Sequence, residues 1–143
     1  MPEKSPAPDK IFDAEFTETA PAVEAYADFV AIVHQLRRDC PWDREQTHES
    51  VKHLLIEEAY ETVEAIDKED WPELSKELGD LLLHVVFHSV MAEQDGRFTM
   101  KDVIDAETTK LVVRHPHVFG DTQVDGVGDV LTNWEQIKMK EKG

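Results

Sequence analysis

Two amphipathic helical stretches joined by a very short link dominate what this chain can fold into. Each carries acids on the side that should be buried. In "LLIEEAYETVEAI", residues 54–66, Leu54, Leu55, Ala59, Val63 and Ile66 recur at helical spacing and mark the face expected to pack. Glu58 and Glu61 fall on or beside that stripe. Downstream, Leu74, Leu78, Leu81 and Val85 mark a second stripe, with Glu77 and Asp80 on or next to it. Each helix thus has an acidic pair at i, i+3, and such pairs share one side of a helix. The link, about residues 67–70, favours an antiparallel hairpin.

In such a hairpin, residues equally far from the middle of the loop stand at the same height. Glu61 and Glu77 are each eight residues from Glu69, and Glu58 and Asp80 are each eleven. Packed helices lie about 8–10 Å apart, so four inward carboxylates reach a common point. Ionised together, they would repel and raise one another's pKa values. A bound cation resolves that conflict. With thirty-one Asp and Glu in the chain, a single acidic pair would mean little; equal heights on two apolar faces mean more. Glu57, Glu64, Glu69 and Glu73 read, by pattern alone, as solvated acids or something near it.

An all-carboxylate donor set suits a hard cation, Mg²⁺, Mn²⁺ or Ca²⁺, rather than zinc. A di-iron bundle would want Glu-x-x-His on two helices. The only such pair is Glu45 and His48, ahead of the helix, while His84 and His88 read as packed or polar helix residues. The net charge of −16 argues against a nucleic-acid polymer or an anionic membrane as partner. It also means that an anionic ligand would need a multivalent cation beside it. Cys40 is the only cysteine, which excludes an intrachain disulfide or a Cys-based zinc site and reads as a small packed residue. With no apolar signal-like start and no run of membrane-spanning length, a cytoplasmic setting is expected.

The reading along the chain is all-α. Residues 1–21, with Pro2, Pro6, Pro8 and Pro21 among charges, are expected to form a mobile arm, and 22–143 a single domain. A first helix is expected from Ala22 to Arg38, with Tyr26, Phe29, Val30, Val33 and Leu36 on its apolar side. "CPWDREQ" breaks it at Pro41. The hairpin helices follow, from about Ser50 to Asp67 and from Asp70 to a stop at Gly96. Asp70 is the expected N-cap, with Glu73 reaching back to it and Pro72 in the first turn. Further helices are expected from Thr99 or Asp102 to before Pro116, and from Asp129 onward. Leu81, Leu82, Leu83, Val85, Val86, Phe87 and Val90 spread over most of one helix's circumference, more than one partner helix covers. The hairpin is therefore expected to complete a four-helix-bundle-type module by pairing with a second copy, as a homodimer or a dimer of dimers.

"EEAYE" at 57–61 and "ELGD" at 77–80, flanked by "CPWDREQTHES", "RHPHVFGD" at 114–121 and "NWEQIK" at 133–138, resemble the MazG family of all-α nucleoside triphosphate pyrophosphohydrolases. The resemblance runs from about Cys40 to Lys140. It implies Mg²⁺-dependent hydrolysis of (d)NTPs between the α and β phosphorus to monophosphate and pyrophosphate, a nucleotide-pool housekeeping role, with Mn²⁺ as a possible substitute. It also implies sites assembled between subunits. Carried onto this chain, Glu58, Glu61, Glu77 and Asp80 take the metal-ligand positions and Glu57 an outer, water-orienting one. The proton of the attacking water goes to Glu57 or Glu61, with both open. Lys110 and Arg114, one turn apart, and Lys138 are the cations expected to clamp phosphates. Trp42 either stacks on the base or plugs the bundle end with Pro41, and His115 and His117 either contact a ligand or, the favoured role, order their loop. Larger MazG proteins hold two such modules where this chain holds one. A catalytically silent helical interaction module and a metal or nucleotide sensor are the competing readings, and retention of all four acids favours catalysis.

Overall fold

The computed structural model describes residues 19–142, so most of the expected arm lies outside the described residues. The described chain runs α1 (Thr19–Asp39), α2 (Pro41–Glu45), α3 (His48–Asp67), α4 (Trp71–Gln94), α5 (Met100–Arg114), α6 (Pro116–Phe119) and α7 (Val127–Lys142). No strand occurs among these residues, which bears out the all-α reading. The break at Pro41 is itself a short helix, α2, and a second short helix, α6, follows Pro116; neither was expected. Thr19, Ala20 and Pro21 belong to α1 rather than to an arm. The described residues fall into two compact units that meet in sequence between Met100 and Lys101, and each is described by itself. None of the helices is long and apolar enough to cross a membrane.

In the first unit, local chemistry sets the helix ends. Thr47 caps α3 by accepting from the Ser50 N–H, while Ser50 Oγ accepts from the Thr47 N–H at 2.8 Å, a capping box that starts the helix at His48. The α3–α4 loop closes on two backbone bonds, Glu69 N–H to Ile66 O and Asp70 N–H to Ala65 O, each 3.0 Å. This is a Schellman stop, and it forces Glu69 to a φ of 52°. The same stop ends α4, where the left-handed residue is Gly96. Asp70 caps α4 by accepting from the Glu73 N–H, as expected. The reciprocal half of that box is not made; the Glu73 carboxyl turns instead to Glu77.

Arg37 of α1 ties three helices together. Its guanidinium donates to the Asp43 and Gln46 carbonyls at 2.7 and 2.9 Å and to Gln94 Oε1, with its plane over the Phe87 ring. The C-terminal carbonyls of α2, which no intrahelical N–H can reach, are satisfied this way.

The core joins Val33 of α1, Val51 of α3, and Val86, Phe87, Val90 and Met91 of α4, with Tyr26, Phe29, Val30, Leu54 and Met100 packed against it. The packed face of α3 is not the expected one. Val51, Thr62 and Ala65 are buried and Leu54 half-buried, whereas Leu55, Ala59, Val63 and Ile66 are exposed. In α4, Glu77, Val86, Phe87, Ser89, Val90, Met91 and Ala92 are buried, while Leu74 and Leu81 are only half-buried and Leu78 and Val85 exposed. On α3 the smaller residues are buried and the larger aliphatics stay exposed beside them, while on α4 Val86, Phe87, Val90 and Met91 enter the core. The acids therefore lie on the packed stripe itself, and the apolar stripe lies beside it.

Glu69 holds a left-handed conformation that costs an L-residue about 1–2 kcal/mol. Glu69→Gly is expected to stabilise the protein by about 0.5–1 kcal/mol, after the entropy that glycine adds to the unfolded chain. A rise in the urea midpoint at unchanged m is the expected result; a fall would contradict the strain argument.

Candidate metal centre

The hairpin brings Glu58 of α3 to Glu77 and Asp80 of α4, one oxygen of each lying within 4.8 Å of the others. Glu58 is half-buried, Asp80 is exposed, and Glu77 is only 8% exposed. The Oε2 atoms of both Glu58 and Glu77 are buried without a hydrogen-bond partner. Buried carboxylate oxygens are costly when unpaired, so two orphans in one place need a cation or a proton. Thr62, the other polar residue on this stripe of α3, is satisfied locally through a 2.7 Å bond to the Glu58 carbonyl.

Protons take up part of the strain. The hydrogen bond with Glu58, burial, the contact with Glu73 and the charges of Glu58 and Glu61 push the Glu77 carboxyl up to about 8. The same hydrogen bond pulls Glu58 down, yet burial and the charges of Asp80 and Glu61 outweigh it and leave Glu58 raised. Both carboxyls are thus held above the ordinary carboxylate range, Glu77 far enough to keep its proton near neutral pH. A divalent cation at this point would displace that proton and take both orphaned oxygens, and three carboxylate donors match the preference of Mg²⁺ or Mn²⁺.

Three of the four expected ligands are gathered. Glu61 is exposed and stands outside the cluster, close enough for its charge to act on Glu58 and Glu77. It lines a groove with Glu64, Ala65, Lys68, Asp70, Glu73 and Glu77 toward the loop. Glu57 is exposed and not among the three. In the other direction along the hairpin, Trp42, Asp43, Val51, Leu54, Leu83, His84 and Phe87 line a small, mainly apolar hollow. Leu54 and His84 lie one turn from Glu58 and Asp80, which places the hollow next to the acids. Trp42 is 57% exposed, so it walls this hollow rather than plugging a core.

The remaining expected residues lie in the second unit. Lys110 pairs with Glu107 at 2.7 Å, and Arg114 with Glu141 at 2.7 Å. The Arg114 guanidinium lies over Trp134, 5.3 Å from the ring centre, and His115 meets the same ring edge-on. Sequence reasoning missed Glu141, which carries no local signal, and it quoted Trp134 within "NWEQIK" without its contact to Arg114, because both join Arg114 from another helix. It also missed the 2.8 Å contact between His48 and His88 ring nitrogens, for the same reason.

A family model described as the MazG nucleotide pyrophosphohydrolase domain matches residues 46–119. The chain is 49% identical over 120 residues to a protein of Thermotoga maritima named nucleoside triphosphate pyrophosphohydrolase/pyrophosphatase MazG, covering 82% of this chain and 46% of that one. It is 45% identical over 116 residues to the nucleoside triphosphate pyrophosphohydrolase of Escherichia coli K12, covering 79% and 44%. An uncharacterised Bacillus subtilis protein, YabN, is 50% identical over 119 residues, covering 82% of this chain and 24% of that one. The chain thus spans less than half the length of these relatives. A solved mazG-related protein from Thermotoga maritima shares the fold with a TM-score of 0.69 at 24% identity, over 79% of this chain and 98% of that one.

The Glu77 proton has a measurable consequence. Between about pH 4.5 and about 8 the folded state keeps a proton on Glu77 that the unfolded chain has lost. In that window this group's contribution to stability falls as pH rises. In chelator, the melting temperature of the wild type is expected to fall relative to that of Glu77→Gln as pH climbs through that window. Parallel curves would mean that Glu77 does not carry the proton.

Proposed function

Since the chain belongs to the MazG nucleotide pyrophosphohydrolase family, we propose that it hydrolyses nucleoside triphosphates to the monophosphate and pyrophosphate with Mg²⁺, as a cytoplasmic nucleotide-pool enzyme. The observation that carries this reading is the pair of orphaned, buried carboxylate oxygens of Glu58 and Glu77 beside Asp80. Glu58, Glu77 and Asp80 would hold the cation, with Glu61 either a fourth donor or left free as the base. When bound, Mg²⁺ supplies Lewis acidity at the phosphate and lowers the pKa of a coordinated water. The side chains do the rest. Glu57 or Glu61, whichever remains free of the cation, accepts the water's proton. Lys110, Arg114 and Lys138 bind the phosphates, and their charges offset those of the leaving pyrophosphate. Trp42 offers its exposed face to the base, a contact tolerant of base identity.

We extend the proposal to assembly as a homodimer or a dimer of dimers that completes a four-helix-type bundle. Leu55, Ile56, Val63, Ile66, Leu78, Leu82, Leu83 and Val85 are all exposed on the two hairpin helices, an apolar surface that a second hairpin would cover. Light scattering at low micromolar concentration without metal is expected to report at least a dimer; a folded monomer would remove the assembly claim.

A panel of NTPs and dNTPs with Mg²⁺ tests the chemistry, with monophosphate plus pyrophosphate expected. Diphosphate plus phosphate would place the cleavage elsewhere and refute the reading. Glu61→Gln and Asp80→Asn are each expected to lower turnover at least about a hundredfold while leaving the protein folded. In the absence of metal they are expected to melt no lower than wild type, because one negative charge has left a crowded site. Mg²⁺ is expected to raise the wild-type melting temperature more than that of either variant, by linkage. Equal responses would show that these acids are not the principal metal site.

A further inference from the structure

The second unit holds a compact group of cations in a chain whose net charge is −16. Lys110 and Arg114 share one side of α5 at i, i+4, and Arg114 reaches Glu141 of α7, which has Lys138 one turn before it. The Arg114 side chain is 16% exposed and the Glu141 side chain 39%. The guanidinium side of the contact is therefore shielded, while the carboxylate side stands open to solvent, where a competing anion can reach it.

The contact is incomplete. One guanidinium nitrogen donates to Glu141 Oε2 at 2.7 Å, but Arg114 Nε is buried and has no hydrogen-bond partner. His117 Nδ1, in the short helix α6 that follows α5, is also buried without one. Trp134 holds the arrangement in place, with Arg114 over its face and His115 at its edge, and His115 in turn lies 5.6 Å from His117. Arg114 thus presents a fixed fork of which only one prong is used. A carboxylate that filled both prongs would use both its oxygens, whereas a phosphate group, with three acceptor oxygens, can accept from both and still face a lysine.

We propose that Glu141 is an intramolecular stand-in for a phosphate group, occupying the Arg114 cluster until a polyphosphate displaces it. The charges on the carboxylate agree with such a role: the hydrogen bond from Arg114, and the added charges of Lys110 and Lys138, hold Glu141 below the ordinary carboxylate range. The same cations that serve an external anion are already focused on an internal one. In the resting protein, Glu141 keeps the guanidinium oriented and offsets cationic charge that would otherwise bind stray anions. On binding, the substrate must outcompete it, so Glu141 sets affinity for the phosphate tail without touching the reacting atoms. The proposal rests on the reading of Lys110, Arg114 and Lys138 as phosphate-binding residues.

Calorimetric titration of tripolyphosphate into the protein in chelator isolates this cluster from the metal centre and from turnover. Glu141→Gln is nearly isosteric and still able to accept from Arg114. It is expected to bind tripolyphosphate roughly three- to tenfold more tightly than wild type, and to show a lower KM for nucleotide with little change in kcat. Arg114→Gln, and separately Lys138→Gln, are expected to weaken tripolyphosphate binding. If Glu141→Gln binds equally or more weakly while the cation variants lose binding, Glu141 is a structural tie between α5 and α7 and the stand-in role is overturned. If the cation variants bind as wild type does, the phosphate-binding reading fails as well. Absence of nucleotide hydrolysis would refute the proposed activity alone, because the binding arm needs neither metal nor catalysis. Melting curves of each variant show whether it has kept its fold.

Discussion

The packing of α3 against α4 forces carboxylates into a space that carboxylates alone cannot share. Everything at the candidate centre depends on that constraint. The buried residues are Val51, Thr62 and Ala65 on α3 and Glu77, Val86, Phe87, Ser89, Val90, Met91 and Ala92 on α4, an apolar packing into which an acid intrudes. With Glu58 and Glu77 side by side, burial and mutual repulsion raise both carboxyls above the ordinary carboxylate range. A protein built this way is preloaded for a divalent ion, because metal binding replaces an awkward proton and satisfies two orphaned oxygens together.

The same packing explains why so much apolar surface is left outside. Were the large aliphatics of α3 turned to α4, the acids would point to solvent and would seldom meet. Instead, Leu55, Val63 and Ile66 flank the contact and stay exposed, as do Leu78, Leu82 and Val85 on α4. The hairpin therefore has two uses for two sides: one gathers charge, the other offers an apolar surface to a second copy in the proposed assembly. Its loop enforces this choice. A Schellman stop with a strained Glu69 fixes where α3 ends, and Asp70 fixes where α4 begins. A slip of one residue would rotate the acids by about 100° off the shared stripe.

The second unit handles charge in the opposite sense. An overall excess of acids would repel a polyanion, yet Lys110, Arg114 and Lys138 are grouped, with Glu141 as the local counter-charge. Each unit thus concentrates one sign of charge, acids on the α3–α4 hairpin and cations on α5 and α7. Aromatic support makes the cation group rigid, since Trp134 carries the Arg114 guanidinium on its face.

The helical class, the hairpin and the height match of its acids were determined by the sequence itself. They depend on period, loop length and capping residues, which are local. Glu58, Glu77 and Asp80 were legible for that reason, as was the N-cap at Asp70. The packed face was not. Leu55, Ala59, Val63 and Ile66 outscore Val51, Thr62 and Ala65 in hydrophobicity, and a periodicity argument picks the stronger stripe. Which stripe is buried depends on partners from other helices: Val51 packs into the cluster of Val33 from α1 and Val86, Phe87, Val90 and Met91 from α4. Arg37, His88, Trp134 and Glu141 gain their roles from partners on other helices: Arg37 meets Gln94, His88 meets His48, and Glu141 meets Arg114. Only tertiary structure could bring those pairs together, because no local spacing carries a contact between residues so far apart along the chain.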